Sequence, residues 1–214
     1  MIVAVLGEKG GTGKTTFATN LAGMRTGAGR DVLIVDADRQ GSASYWAEAR
    51  ERQEVAAVAS VQKFGPGLVR AVADMARRYA DVVIDIAAGD SREIEGALRT
   101  ADRVLIPVQP AGLDVWTLGI IDERVGAAKA ANAKLEAFVV INRASPNPKD
   151  NDVHEAREAI GDCQSFVIAD LVVRERVAIK RAAPKGLTVA EYRPADPKAV
   201  EELDALYRLA FAES

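Results

Sequence analysis

The sequence predicts an α/β fold, an open and mainly parallel sheet flanked by helices, and three observations carry that prediction. Short apolar runs alternate with helical patterns almost from end to end. Several runs are near-continuous in Val, Ile and Leu, as parallel strands covered on both faces require. The first run, Ile2–Leu6, passes straight into a glycine-rich segment and then a helical pattern, the order that sets a phosphate at a helix N-terminus.

The strand candidates are Ile2–Leu6, Val32–Val35, Val55–Val61, Val82–Ile86, Val104–Val108, Phe138–Ile141 and Phe166–Ile168. Helical stretches fall between them at Phe17–Met24, Ser42–Arg52, Leu68–Tyr79, Arg92–Leu98, Leu118–Ala131 and Asp152–Ile160. Such alternation implies right-handed βαβ units, whose ligands sit beyond the carboxyl ends of the strands. The close of the chain, Pro197–Ala212, reads as a terminal helix with Val200, Leu203, Leu206, Leu209 and Ala210 on one face. With neither internal repeat nor linker, one domain over residues 1–214 is expected.

Composition narrows the function. The chain has 214 residues, 49% of them hydrophobic and 28% charged, enough for a real core. A net charge of −3 excludes a generally basic nucleic-acid binder and leaves room for a local patch. A single cysteine, Cys163, excludes an internal disulfide or a cysteine-held metal cluster. No apolar run reaches the roughly 18 residues of a membrane span, and Met1 enters a strand without a signal segment, so the expected compartment is the cytoplasm.

Residues 9–16 read Lys-Gly-Gly-Thr-Gly-Lys-Thr-Thr. Gly10, Gly11 and Gly13 allow backbone N–H groups to turn inward around a phosphate, with Thr12 and Thr16 in the same cradle. Lys14 can reach the β- and γ-phosphates, and the Thr15 hydroxyl can ligate Mg²⁺. The common phosphate-loop pattern wants a glycine where Glu8 stands. A second lysine, Lys9, heads the loop instead. On its residues alone this segment binds a nucleoside triphosphate.

Acids end two strands nearby. In Val35-Asp36-Ala37-Asp38 an aspartate could simply cap the next helix. Beside a phosphate loop, one carboxylate (Asp36) can support the water shell of a metal while Asp38 orients or deprotonates the attacking water. Val83-Ile84-Asp85 sets another acid to hold Mg²⁺ through water, and the small residues Ala87, Ala88 and Gly89 suit a switch segment near the γ-phosphate. Asn142, in Val140-Ile141-Asn142-Arg143, reads equally as a turn former or a base contact.

The string Lys-Gly-Gly-x-Gly-Lys-Thr, followed by Asp-x-Asp, resembles the deviant Walker A of the ParA/MinD class of P-loop ATPases. The likeness is to small ParA forms without an N-terminal DNA-binding domain, and it runs from Met1 to about Tyr192. It implies ATP as the nucleotide and an ATP-dependent homodimer in which Lys9 reaches the partner's nucleotide. Lys9, Lys14 and Asp38 then carry catalysis, with Asp38 in the water-handling position. The resemblance also implies that Asn142 and Arg143 meet the adenine edge, and that the loop through Pro107 and Pro110, followed by Asp114, walls the base. Arg39 departs from the proline common in the family.

Between Arg174 and Lys185, the bases Arg174, Arg176, Lys180, Arg181 and Lys185 outnumber Glu175 for a local charge of +4. Charge runs are ordinarily solvated helix faces. The resemblance adds that this region of the family contacts nonspecific DNA, by phosphate binding without sequence reading. The function it implies is a nucleoid-associated positioning ATPase. Such a protein dimerises on ATP, binds DNA, and is released when a ParB-like or other cargo adaptor stimulates hydrolysis, to segregate plasmid, chromosome or other cargo. Two alternatives remain. A MinD-like membrane cycle calls for a basic amphipathic terminal helix, whereas residues 196–214 carry five acids and two bases. A synthetase of the dethiobiotin or cobyrinate type calls for a carboxylate pocket that no motif announces.

Overall fold

The strand β1 (Ile2–Val5) is the middle of seven in one sheet. On one side follow β4 (Asp81–Ile86), β2 (Val32–Ala37) and β3 (Ala59–Gln62), and on the other β5 (Arg103–Val108), β6 (Glu136–Ala144) and β7 (Val167–Arg174). Every pairing is parallel. The computed structural model describes residues 1–111, 115–147, 149–161 and 163–212. Asp114, expected near the base, lies outside them.

Alternate side chains of each central strand enter opposite cores, because strand side chains point to the two faces in turn. Ala4, Leu6, Ile84 and Ile106 pack under α3 (Leu68–Met75), α4 (Ser91–Thr100), α5 (Val115–Ala131) and α6 (Asp152–Ile160). Val3, Val5, Val83 and Leu105 pack under α1 (Lys14–Gly27), α2 (Ser42–Arg50), α7 (Val177–Ala182) and α8 (Pro197–Phe211). Both faces are covered, which explains why the strands read as unbroken apolar runs. In α8, Leu203, Leu206 and Ala210 are buried as its periodicity requires.

The expected boundaries fail at the edges of the sheet. The run Val55–Val61 is a strand only from Ala59, and β3 ends at Gln62 with mostly exposed residues. An edge strand has one partner and little apolar burial to define its start. At the other edge, β7 runs on to Arg174 where the sequence stopped at Ile168, because Asp170 faces solvent and breaks the apolar run without breaking the pairing. The helix α1 also starts earlier than the apolar pattern, at Lys14 directly behind Gly13.

Register fixes the place of the site. Asp85 pairs with both Val5 and Asp36 across neighbouring strands, so the acids of β2 and β4 stand level beside the end of β1. The glycine-rich segment leaves β1 at that same edge.

Candidate nucleotide-binding site

The loop between β1 and α1 is held open by glycines in conformations that other residues reach only under strain. Gly11 has φ +77° and Gly13, the N-cap of α1, has φ +101°. Three side chains grip its carbonyls from the far half of the sheet. Asn142 Nδ2 donates to Thr12 O at 2.6 Å, while Gln109 Nε2 and Arg143 Nη1 donate to Gly11 O at 2.6 and 2.8 Å. Arg143 itself adopts φ +56°. With the carbonyls held outward, the N–H groups are left for an anion. A Cβ on Gly13 would collide with Asn142 Nδ2. Gly13→Ala is therefore expected to weaken nucleotide binding by about tenfold or more, since left-handed strain alone costs about 1–2 kcal/mol. Titration with a fluorescent ATP analogue checks it, and unchanged affinity would remove the loop from the site.

Lys14 lies beneath the loop, 7% exposed, with Nζ donating to Lys9 O at 2.8 Å. Burial pushes its pKa below the ordinary lysine value, against the pull of Asp85, Asp38 and Glu8. The Thr15 hydroxyl donates to Asp85 Oδ2 at 2.7 Å. Burial raises the Asp85 carboxyl to about 7, opposed by that hydrogen bond and by Lys14 and reinforced by Asp36 and Asp38. Fully buried Asp36 accepts from the N–H groups of Asp38 at 3.1 Å and Ser44 at 2.8 Å. It pins the turn from β2 into α2. Asp38, half-buried, accepts from Gln40 N–H at 2.9 Å.

Among the described residues no three acids, histidines or cysteines gather as a metal cage. The Thr15 hydroxyl and Asp85 carboxylate, 2.7 Å apart, suit Mg²⁺, which takes one or two protein oxygens and completes its shell with water and phosphate. Thr15 and Asp85 are the pair so placed, and a hard cation there would offset phosphate charge.

A cleft of about 340 Å³ opens beside the loop, large enough for a nucleotide. Lys14, Thr16, Asn142 and Arg143 line one wall, and the end of β7 with α7 forms the other. That second wall includes Arg174, Arg176 and Lys180, three of the five cations expected on DNA. β7 pairs with β6, so whatever follows β7 arrives at the phosphate edge of the sheet. These cations are also engaged within the protein. Arg176 pairs with Glu202 at 2.5 Å, Arg174 donates to Ser145 O, and Lys180 pairs with Glu175. Arg181 and Lys185 are exposed, the latter with Nζ 5.3 Å from the Tyr192 ring centre.

Residues 3–189 match the family described as the CobQ/CobB/MinD/ParA nucleotide binding domain. The chain belongs to that family. It is 34% identical over 210 residues to the maintenance of carboxysome distribution protein A of Gloeobacter kilaueensis, covering 97% of this chain and 90% of that one. The protein of the same name from Halothiobacillus neapolitanus is 28% identical, with 95% and 93% covered. In fold, the chain matches the septum site-determining protein MinD of Pyrococcus horikoshii, solved with Mg-ADP. The TM-score is 0.73 at 19% identity, with 99% and 96% covered.

Members of the CobQ/CobB/MinD/ParA family hydrolyse ATP, and this chain is a P-loop ATPase. Its loop support was only partly foreseen. Asn142, 4% exposed and expected at the adenine edge, also holds the phosphate loop through its amide nitrogen. Gln109 was passed over, although it sits inside the Pro107–Pro110 segment at the carboxyl end of a strand, where open α/β sheets bind their ligands. Pro110 is buried directly behind it. Lys9 is exposed at the head of the loop.

Proposed function

We propose that this chain is a positioning ATPase that pairs on ATP, holds DNA without regard to sequence, and lets go when a cargo adaptor stimulates hydrolysis. The observation that carries the reading is Lys9, solvent-exposed at the head of a phosphate loop whose own pocket is served by the buried Lys14. A second lysine there suits a phosphate on another copy of the chain. Two relatives named for carboxysome distribution support a positioning role and make an adaptor-bound protein compartment the first cargo to test. The roles proposed are Lys9 and Lys14 on phosphate oxygens, Asp38 on the attacking water, and Thr15 with Asp85 toward Mg²⁺. In α8 the apolar face is already buried in the core, which counts against that helix serving a membrane cycle.

Light scattering tests the dimer. In Asp38→Ala, which slows hydrolysis, a monomer with ADP and a dimer with MgATP are expected. A chain that stays monomeric with ATP sinks the reading.

DNA contact then falls to Arg181 and Lys185, since the exposed Lys180 already pairs with Glu175, which leaves two cations per protomer and four in a dimer. Pairing turns the second engagement into an intramolecular one, so ATP switches binding on without altering the patch. With four phosphates neutralised, log affinity should fall with log salt at a slope of about −4. Fluorescence anisotropy on two unrelated duplexes reads this. Arg181→Glu with Lys185→Glu should abolish binding to both and leave the dimer intact. Equal affinity with ADP and ATP would remove DNA from the cycle.

A further inference from the structure

We propose that Arg124 of α5 is a positioning residue for ATP hydrolysis, holding the leading end of the phosphate loop through an ion pair with Glu8. Arg124 Nη1 lies 2.8 Å from Glu8 Oε1, with the side chains only 24% and 13% exposed. Glu8 stands where phosphate loops ordinarily have glycine. An acid at the mouth of an anion site works against the ligand unless a cation neutralises it, and a half-buried partner does so with little screening.

The pair joins three parts of the fold. Thr117, Leu118 and Ile121 of α5 line a narrow cleft against Gly7–Gly10. Thr117, Ile121 and Arg124 recur at spacings of four and three, so one face of the helix lies along the loop. From the other side, the turn after β4 closes on Glu8. Gly89, at φ +68°, donates its N–H to Gly7 O at 3.4 Å, and a Cβ there would stand 3.5 Å from Glu8 O and 3.8 Å from Glu8 Oε2. That turn follows the strand carrying Asp85. Glu8 is thus gripped between α5 and the Asp85 turn, one peptide bond before Lys9. Whatever shifts α5 along its axis turns Glu8, and with it the direction in which Lys9 leaves the loop. Positioning of this kind acts on rate more than on binding, because small misplacements of a reacting group are costly in the transition state.

The inference rests on the reading that Lys9 takes part in hydrolysis, so the experiment crosses the two residues. Single-turnover hydrolysis and the kcat and KM for MgATP are measured for the full chain as wild type, Arg124→Met, Arg124→Lys, Lys9→Ala and Lys9→Ala/Arg124→Met. Arg124→Met is expected to lower kcat by about tenfold to a hundredfold and to raise KM through the uncompensated Glu8, and Arg124→Lys to recover most of both losses. In the Lys9→Ala background the same change should cause no further loss. Glu8→Gln/Arg124→Met, which leaves neither charge unpaired, guards against misfolding: it should keep the native circular dichroism and still show the lowered kcat. Wild-type kcat in Arg124→Met, or an equal loss with and without Lys9, would overturn the proposal while Lys9 stands. Wild-type hydrolysis by Lys9→Ala alone would instead overturn the reading beneath it.

Discussion

Lys9→Ala is expected to bind MgATP as the wild type does and to hydrolyse it more slowly by about two orders of magnitude or more, the scale of a missing trans-acting cation. Binding survives because the loop is anchored by the backbone of residue 9, whose carbonyl receives Lys14 Nζ at 2.8 Å. Alanine leaves that anchor in place. The loss falls on charge stabilisation of the transferring phosphoryl group, which the exposed ammonium of a second protomer would supply. Mixing tests the geometry. Asp38→Ala binds ATP and retains Lys9, whereas Lys9→Ala retains Asp38. Each is expected to be nearly inactive alone. Combined equally, half of the dimers are mixed and each holds one complete site, so about a quarter of wild-type activity should return. A mixture no more active than its components would place Lys9 in its own site and remove the main argument for a sandwich of two chains.

What the sequence made legible was whatever depends on local order. The strand–loop–helix at Ile2–Phe17, the acids closing β2 and β4, and the central strands all have signatures within a few residues. Seven parallel strands follow from unbroken apolar runs, because burial on both faces leaves no alternation to misread. The loop contacts that escaped are those whose meaning comes from partners far away in sequence. Asn142 meets Thr12 across 130 positions, and Gln109 meets Gly11 across 98. The run from Arg174 to Lys185 likewise depends on partners far away in sequence. Its local charge of +4 counts bases without their partners, and Glu202, which binds Arg176, lies on α8. A charge run announces DNA only to the extent that its charges remain directed to solvent.

Arg50 is the extreme of that kind, and its pair is where the largest loss of stability is expected. A terminal arginine on a helix reads as solvated, yet Arg50 is 0% exposed. Its Nη1 and Nη2 donate to the two carboxylate oxygens of Glu191 at 2.7 and 2.6 Å, and its Nε donates to Ala56 O at 2.7 Å. Glu191 also accepts from the N–H of Thr188 at 2.8 Å, so the pair ties α2 to the segment before α8. Glu191→Ala leaves a buried guanidinium without its counter-charge and should cost about 3–5 kcal/mol, a large fraction of the roughly 5–15 kcal/mol that holds a domain folded. Burial alone would raise the Glu191 pKa, but the hydrogen bonds from Arg50 and Thr188 outweigh it and hold the carboxyl below its ordinary value. A carboxyl depressed on folding stabilises the protein above its unfolded pKa, about 4.3 for glutamate, and that contribution is lost as pH falls toward the folded value. Urea denaturation from pH 7 down to pH 3 should therefore show the wild type losing its advantage over Glu191→Ala as the solution is acidified. Arg50→Met combined with Glu191→Leu, which removes both charges, should recover part of the loss at neutral pH. A Glu191→Ala protein within about 1 kcal/mol of wild type, the scale of an exposed pair, would mean that water reaches Arg50 and that the segment before α8 is held by its apolar contacts alone.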